Sequence, residues 1–228
     1  MSGITHQPSP NFDDRRYAVD MLVLHYTGMQ TGDAALERMC DPQASVSAHY
    51  MVHEDGGVVQ LVDEDKRAWH AGVSKWQGDE DLNSRSIGIE IVNGGHDWRL
   101  EDGRLPPYPE AQIEAVAALS LAILERWDIP QTRIVGHSDI APLRKQDPGE
   151  HFPWARLARQ GVGLWPLALA GGQRTMESAL SAIGYETGDL AAAIAAFQRR
   201  WRPARVDGIA DPDTRAIAFA VAGLYSSG

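Results

Sequence analysis

The sequence predicts an α/β fold, a mixed central β-sheet flanked by helices, plus a small C-terminal three-helix domain. Three observations predict it. Short runs rich in Val, Ile and Leu alternate with longer stretches of helical period. Two of these runs lead directly into histidines, as sheet strands do when they end at a site. Beyond residue 170 only helical patterns remain.

The elements follow in order. Val19-Asp20-Met21-Leu22-Val23-Leu24 reads as a buried strand over 19–25, ending on His25. A helix is expected over 32–40, its start favoured by Thr31 and Asp33. Residues 48–53 and 58–62 make a hairpin across Glu54-Asp55-Gly56-Gly57, a turn by composition. Residues 85–92 form another strand, interrupted by Gly88, where a missing side chain would admit substrate or a neighbouring backbone. Over 109–127 apolar residues recur at Ile113, Val116, Ala117, Leu124 and Trp127, the spacing of a long amphipathic helix. Ile134-Val135 is a short strand running into a loop. Ala170-Gly171-Gly172-Gln173 then reads as a linker between a larger unit, residues 1–167, and a smaller one, residues 174–228. Helices are expected in the latter at Met176–Ile183, at Leu190–Trp201 and over 212–222.

At 228 residues and 43% hydrophobic, the chain can bury a sizeable core without staples. Its single cysteine, Cys40, closes no intramolecular disulfide and reads as a half-buried structural thiol. A net charge of −10 with no basic run argues against nucleic acid and against an anionic membrane surface. No stretch approaches the roughly 20 apolar residues of a membrane span. Residues 1–10 carry neither the charged start nor the apolar stretch of a leader, and His6 falls in an expected flexible tail. The expected location is therefore cytoplasmic, or periplasmic if a leader was removed.

Chemistry concentrates in the stretch from Val135 to Gly149, where His137, Lys145 and Asp147 share one loop. Ten positions separate His137 from Asp147, too many for a helical i, i+4 pair, so a folded loop must bring them together. Pro142 and Pro148-Gly149 supply its turns. With His25 they make two imidazoles and one carboxylate, a set that leaves a fourth tetrahedral position open on catalytic zinc and that also suits cobalt, nickel or iron. The same residues fit a blander account, with Asp147 as a turn cap and His25 as a hydrogen-bonded core residue. Of the other histidines, His49 reads as structural, His53 as solvent-facing, and His96 and His151 as loop residues without a role. Asn93 either contacts substrate or caps a turn.

Five motifs occur in sequence: His25-Tyr26-Thr27, Ser47 to Val52, Trp69-His70-Ala71-Gly72, Ser86 to Ile91, and Gly136-His137-Ser138-Asp139 through Lys145-Gln146-Asp147-Pro148-Gly149. Together they closely resemble the zinc-dependent N-acetylmuramoyl-L-alanine amidases of the peptidoglycan-recognition-protein superfamily, over roughly residues 17–160. The resemblance implies a Zn2+ hydrolase that cuts the amide between the lactyl group of N-acetylmuramic acid and L-alanine of the stem peptide. It implies that His25, His137 and Asp147 hold the metal, Glu90 is the catalytic acid, Lys145 stabilises the oxyanion and His70 lines the substrate pocket. Some relatives carry cysteine as third ligand and a tyrosine just before the His49 position; Asp147 and Ala48 stand there here, which points to the bacterial, glutamate-dependent subgroup. Ile183-Gly184-Tyr185, Ala196-Phe197-Gln198-Arg199-Arg200 and Asp207 to Thr214 resemble the peptidoglycan-binding domain of cell-wall hydrolases.

The expected partner is a muropeptide, including the 1,6-anhydro form met in wall recycling. An exported hydrolase of intact peptidoglycan, a non-catalytic muropeptide recognition protein and a different zinc peptidase are the competing readings.

Overall fold

The computed structural model describes residues 3–172 and 174–226; Met1 and Ser2 of the expected tail, Gln173 of the expected linker, Ser227 and Gly228 lie outside them. In chain order the protein runs β1 (Thr5–His6), β2 (Phe12–Asp14), β3 (Met21–Tyr26), α1 (Gly32–Cys40), β4 (Tyr50–Val52), β5 (Val58–Gln60), β6 (Lys66–Ala68), α2 (Leu82–Arg85), β7 (Ser86–Ile91), α3 (Glu110–Arg126), β8 (Ile134–Gly136), α4 (His137–Ile140) and α5 (Trp154–Arg159). Helices α6 (Met176–Ile183), α7 (Leu190–Trp201) and α8 (Pro212–Tyr225) complete it. A capping side chain marks the start of α1, where Thr31 was expected to favour it, and the starts of α6, α7 and α8. Thr31, Thr175, Asp189 and Asp211 each accept a hydrogen bond from the backbone N–H three residues on.

Six strands form the main sheet in the order β1-β5-β4-β7-β3-β8, parallel except where β4 meets β5. Strand β3 is buried along nearly its whole length, so its alternation shows in which core each residue joins rather than in polarity. Leu22 and Leu24 pack with Ile113, Val116, Leu119 and Ile123 of α3 on one face. Met21 and Val23 join a second cluster that is continuous with Ala179, Leu180 and Ile183 of α6 and Phe197 and Trp201 of α7. The three C-terminal helices thus cover the sheet face opposite α3.

The flexible tail expected around His6 is instead an edge strand. β1 pairs with β5, and the chain beyond it is tied down by Ser9 N–H to Leu61 O at 2.8 Å and by the Asn11 side chain, which donates to the carbonyls of Met39, Asp41 and Val46 around the end of α1. These backbone partners lie far away in sequence, so composition gave no sign of them. The antiparallel ribbon β2-β6 and the short helices α2, α4 and α5 were likewise unforeseen, each too short to show a period.

Candidate active site

Three neighbouring parallel strands, β7, β3 and β8, end at the same edge of the sheet, the edge where parallel α/β sheets place their sites. His25 lies opposite Glu90 in the β3–β7 register, which fixes both on adjacent strands at one level. His137 follows directly on β8 as the first residue of α4. Asp147 is brought back to it by a backbone hydrogen bond, Ser138 N–H to Asp147 O at 2.8 Å. The folded loop required by their spacing is therefore present.

His25 Nδ1, His137 Nδ1 and Asp147 Oδ2 converge with mutual separations of 2.9, 3.0 and 3.1 Å. All three side chains are buried. The outer ring nitrogens settle which protons are present. Ser86 donates to the Leu82 carbonyl, so its oxygen accepts from His70 Nε2 at 3.3 Å. Burial and three nearby histidines hold His70 neutral, so its Nδ1 accepts from His25 Nε2 at 3.0 Å. His137 Nε2 donates to the Ala71 carbonyl at 3.1 Å. Each imidazole then turns its Nδ1 inward, toward a carboxylate. Burial pushes the His25 imidazolium down to about 4. Two inward ring nitrogens and a carboxylate oxygen, all on buried residues, fit a cation, and the outward N–H bonds are those by which proteins orient metal-bound histidines. No other such donor group occurs among the described residues.

The cluster opens into a cleft of about 610 Å³ lined also by Tyr26, His70, Glu90, His96, Lys145 and Arg199. Glu90 Oε2 is buried without a hydrogen-bond partner. Burial first, and the charge of Asp147 second, push its carboxyl well above the usual range, with Lys145 opposing. The site therefore holds a carboxyl that burial biases toward its protonated form, in the cleft that Lys145 also lines.

The family model for N-acetylmuramoyl-L-alanine amidase (Amidase_2) matches residues 15–150, a span that includes every residue of the cluster. The chain belongs to that family. N-acetylmuramoyl-L-alanine amidase AmiD of Escherichia coli is 37% identical over 98% of this chain and 91% of its own. The 1,6-anhydro-N-acetylmuramyl-L-alanine amidase AmpD of the same organism is 39% identical over 68% of this chain and 90% of its own. The solved complex of AmiD with the substrate anhydro-N-acetylmuramic acid-L-Ala-D-gamma-Glu-L-Lys superposes with a TM-score of 0.82 at 38% identity, covering 92% of this chain and 91% of that one. As an amidase of this family the protein is a hydrolase, and the structure locates the expected residues unevenly.

His137, Asp147, Glu90 and Lys145 line one cleft, and His25 lies buried against His137 and Asp147. His70 lines it too, as expected, with both its ring nitrogens spent on His25 and Ser86 rather than free for a ligand. Gly88 corrects another expectation: a Cβ there would lie 2.6 Å from the His70 ring, so the missing side chain admits an imidazole, not substrate or backbone. Asn93 does not contact the cleft. Its amide donates to the Pro106 carbonyl and its oxygen accepts from Gly95 N–H, the turn-capping alternative. His49 is structural as expected, accepting from Gly88 N–H and donating to the Lys66 carbonyl. Sequence reading missed His96, which lines the cleft between Tyr26 and Glu150, because a lone histidine after two glycines carries no pattern. It also missed Asp139, the carboxylate that accepts from Gly136 N–H, Tyr185 Oη and Arg200 Nη1 just after His137.

Proposed function

We propose that this chain hydrolyses the amide between the lactyl group of N-acetylmuramic acid, including its 1,6-anhydro form, and the L-alanine of the stem peptide, using zinc held by His25, His137 and Asp147. The observation that carries the proposal is the inward convergence of two buried ring nitrogens and one carboxylate beside Glu90. Zinc in such a site supplies Lewis acidity, which polarises an amide carbonyl and lowers the pKa of a water to about 7.

Glu90 takes the proton from the attacking water and passes it to the departing alanine nitrogen. Its unpartnered oxygen and raised pKa suit both directions of that transfer. Lys145 offsets the negative charge that grows on the carbonyl oxygen in the tetrahedral intermediate. His70 and Ser86 hold His25 in the tautomer that turns its lone pair inward. We further propose that residues 1–167 carry the catalysis and residues 174–228 form a peptidoglycan-binding-like unit. That two amidases named for this chemistry align over most of their length supports the substrate class.

Mass spectrometry of products, with and without a chelator, tests this on a 1,6-anhydro-muropeptide and on intact sacculi. Chelator-sensitive release of a stem peptide with a free L-alanine amine is expected from the fragment. Release from the fragment alone favours the recycling of soluble muropeptides in the cytoplasm, whereas release from sacculi favours an exported hydrolase. Binding without cleavage of either would make the chain a recognition protein.

A further inference from the structure

Helix α7 belongs to the C-terminal unit, yet one of its side chains, Arg199, reaches the wall of the catalytic cleft. The residue is only 9% exposed. Its nearest carboxylate, Glu150, lies 3.6 Å from Nε, beyond hydrogen-bonding range, and Nε has no acceptor at all. Both Glu150 oxygens face His96 Nε2, at 3.1 and 3.3 Å, and His96 Nδ1 meets Tyr26 Oη at 3.0 Å. Among the described residues no protein group accepts a hydrogen bond from this guanidinium. Its neighbours on the helix, Phe197, Arg200 and Trp201, are core residues, so the backbone beneath it is fixed.

A nearly buried guanidinium whose Nε lacks an acceptor, and whose ion-pair partner stands 3.6 Å away, is left incompletely satisfied until an acceptor completes it. The acceptor that matches its planar fork is a carboxylate. Stem peptides supply such groups. In the ligand of the AmiD complex the glutamate is joined through its γ-carboxyl, so its α-carboxylate is left ionised, and the peptide ends in another carboxylate. We propose that Arg199 is a specificity-determining residue that binds a carboxylate of the stem peptide while the scissile amide lies at His25, His137 and Asp147. The C-terminal unit then reads the substrate of the catalytic cleft itself, a role separate from any hold on the polymer. The proposal rests on the amidase reading above.

The test is steady-state kinetics of the full chain on 1,6-anhydro-muropeptides in three forms: the free acid, the form amidated at the glutamate α-carboxylate, and the form amidated at the peptide C-terminus. Wild type is expected to lose on the order of 10- to 100-fold in kcat/KM on one amidated form, chiefly through KM; which form responds identifies the carboxylate. Arg199→Met is expected to lose a similar factor on the free acid and to become indifferent to amidation. Arg199→Lys, which keeps the charge without the fork, is expected to retain part of the discrimination. Wild type indifferent to both amidations overturns the proposal without any variant, as does Arg199→Met that slows all three forms equally or discriminates as wild type does. Wild type that cleaves none of them would overturn the amidase reading, and this assignment with it.

Discussion

At the scale of single residues, the site depends on who donates to whom. His25, His137 and Asp147 face one another only because each imidazole sends its proton outward, to His70 and to the Ala71 carbonyl. Removing His137 is therefore expected to abolish activity and bound zinc together, read by turnover and by metal analysis; an active His137→Ala protein would refute the metal assignment. Glu90 touches none of the three donors by hydrogen bond, so Glu90→Ala should lower kcat by about 100- to 10,000-fold with zinc content unchanged. Loss of zinc from that variant would instead make Glu90 a ligand. Gly88→Ala probes the layer behind. Its Cβ would strike the His70 ring at 2.6 Å, so the expected result is zinc affinity weakened by about 10- to 100-fold, measured by competition with a chromophoric chelator.

At the scale of elements, two ionic clamps join pieces that sequence keeps apart. Glu64, in the turn after β5, accepts from Tyr50 on β4, from Arg126 at the end of α3 and from Trp127. Burial alone would raise its carboxyl, but these donors outweigh burial and hold it below the usual range. A carboxyl depressed on folding stabilises above its unfolded pKa, about 4.3, and the contribution disappears as pH falls through the lower folded value. Glu64→Gln should accordingly lower the melting temperature at neutral pH and flatten its decline below about pH 4. A decline parallel to wild type would show the clamp contributes nothing. The second clamp is Arg200 of α7, which donates to Asp139 of α4 at 2.9 Å and lies over the Trp154 ring at 4.1 Å. Both partners are 1% exposed, so Arg200→Met strands a buried carboxylate, at a cost of about 3–5 kcal/mol in urea unfolding.

At the scale of the whole molecule, the C-terminal helices close the core. Met21, Val23, Trp76 and Val135 share one apolar cluster with α6, α7 and α8. Ending the chain before residue 174 would expose that sheet face and leave Asp139 without Tyr185 and Arg200. The expected outcome is a protein that aggregates or melts far below wild type, seen by light scattering and calorimetry. A truncated chain of wild-type stability would show the larger unit to be self-sufficient. Among the described residues no helix is long and apolar enough to cross a membrane.

What the sequence determined by itself was local or carried by motif. The cap residue Thr31 and the helical patterns over 32–40, 176–183 and 190–201 located α1, α6 and α7, because capping and amphipathicity act within one or two turns. The candidate cluster of His25, His137 and Asp147 was legible because its residue types stand in ordered motifs. What only the tertiary structure decided depends on groups distant in the chain: His70 bonding back to His25 across 45 positions, β1 held by β5, Asn93 spent on a turn, and Arg199 carried from the last third of the chain into the cleft. No period or cap records such contacts, since a hydrogen bond or an unpaired charge is defined by what packs beside it.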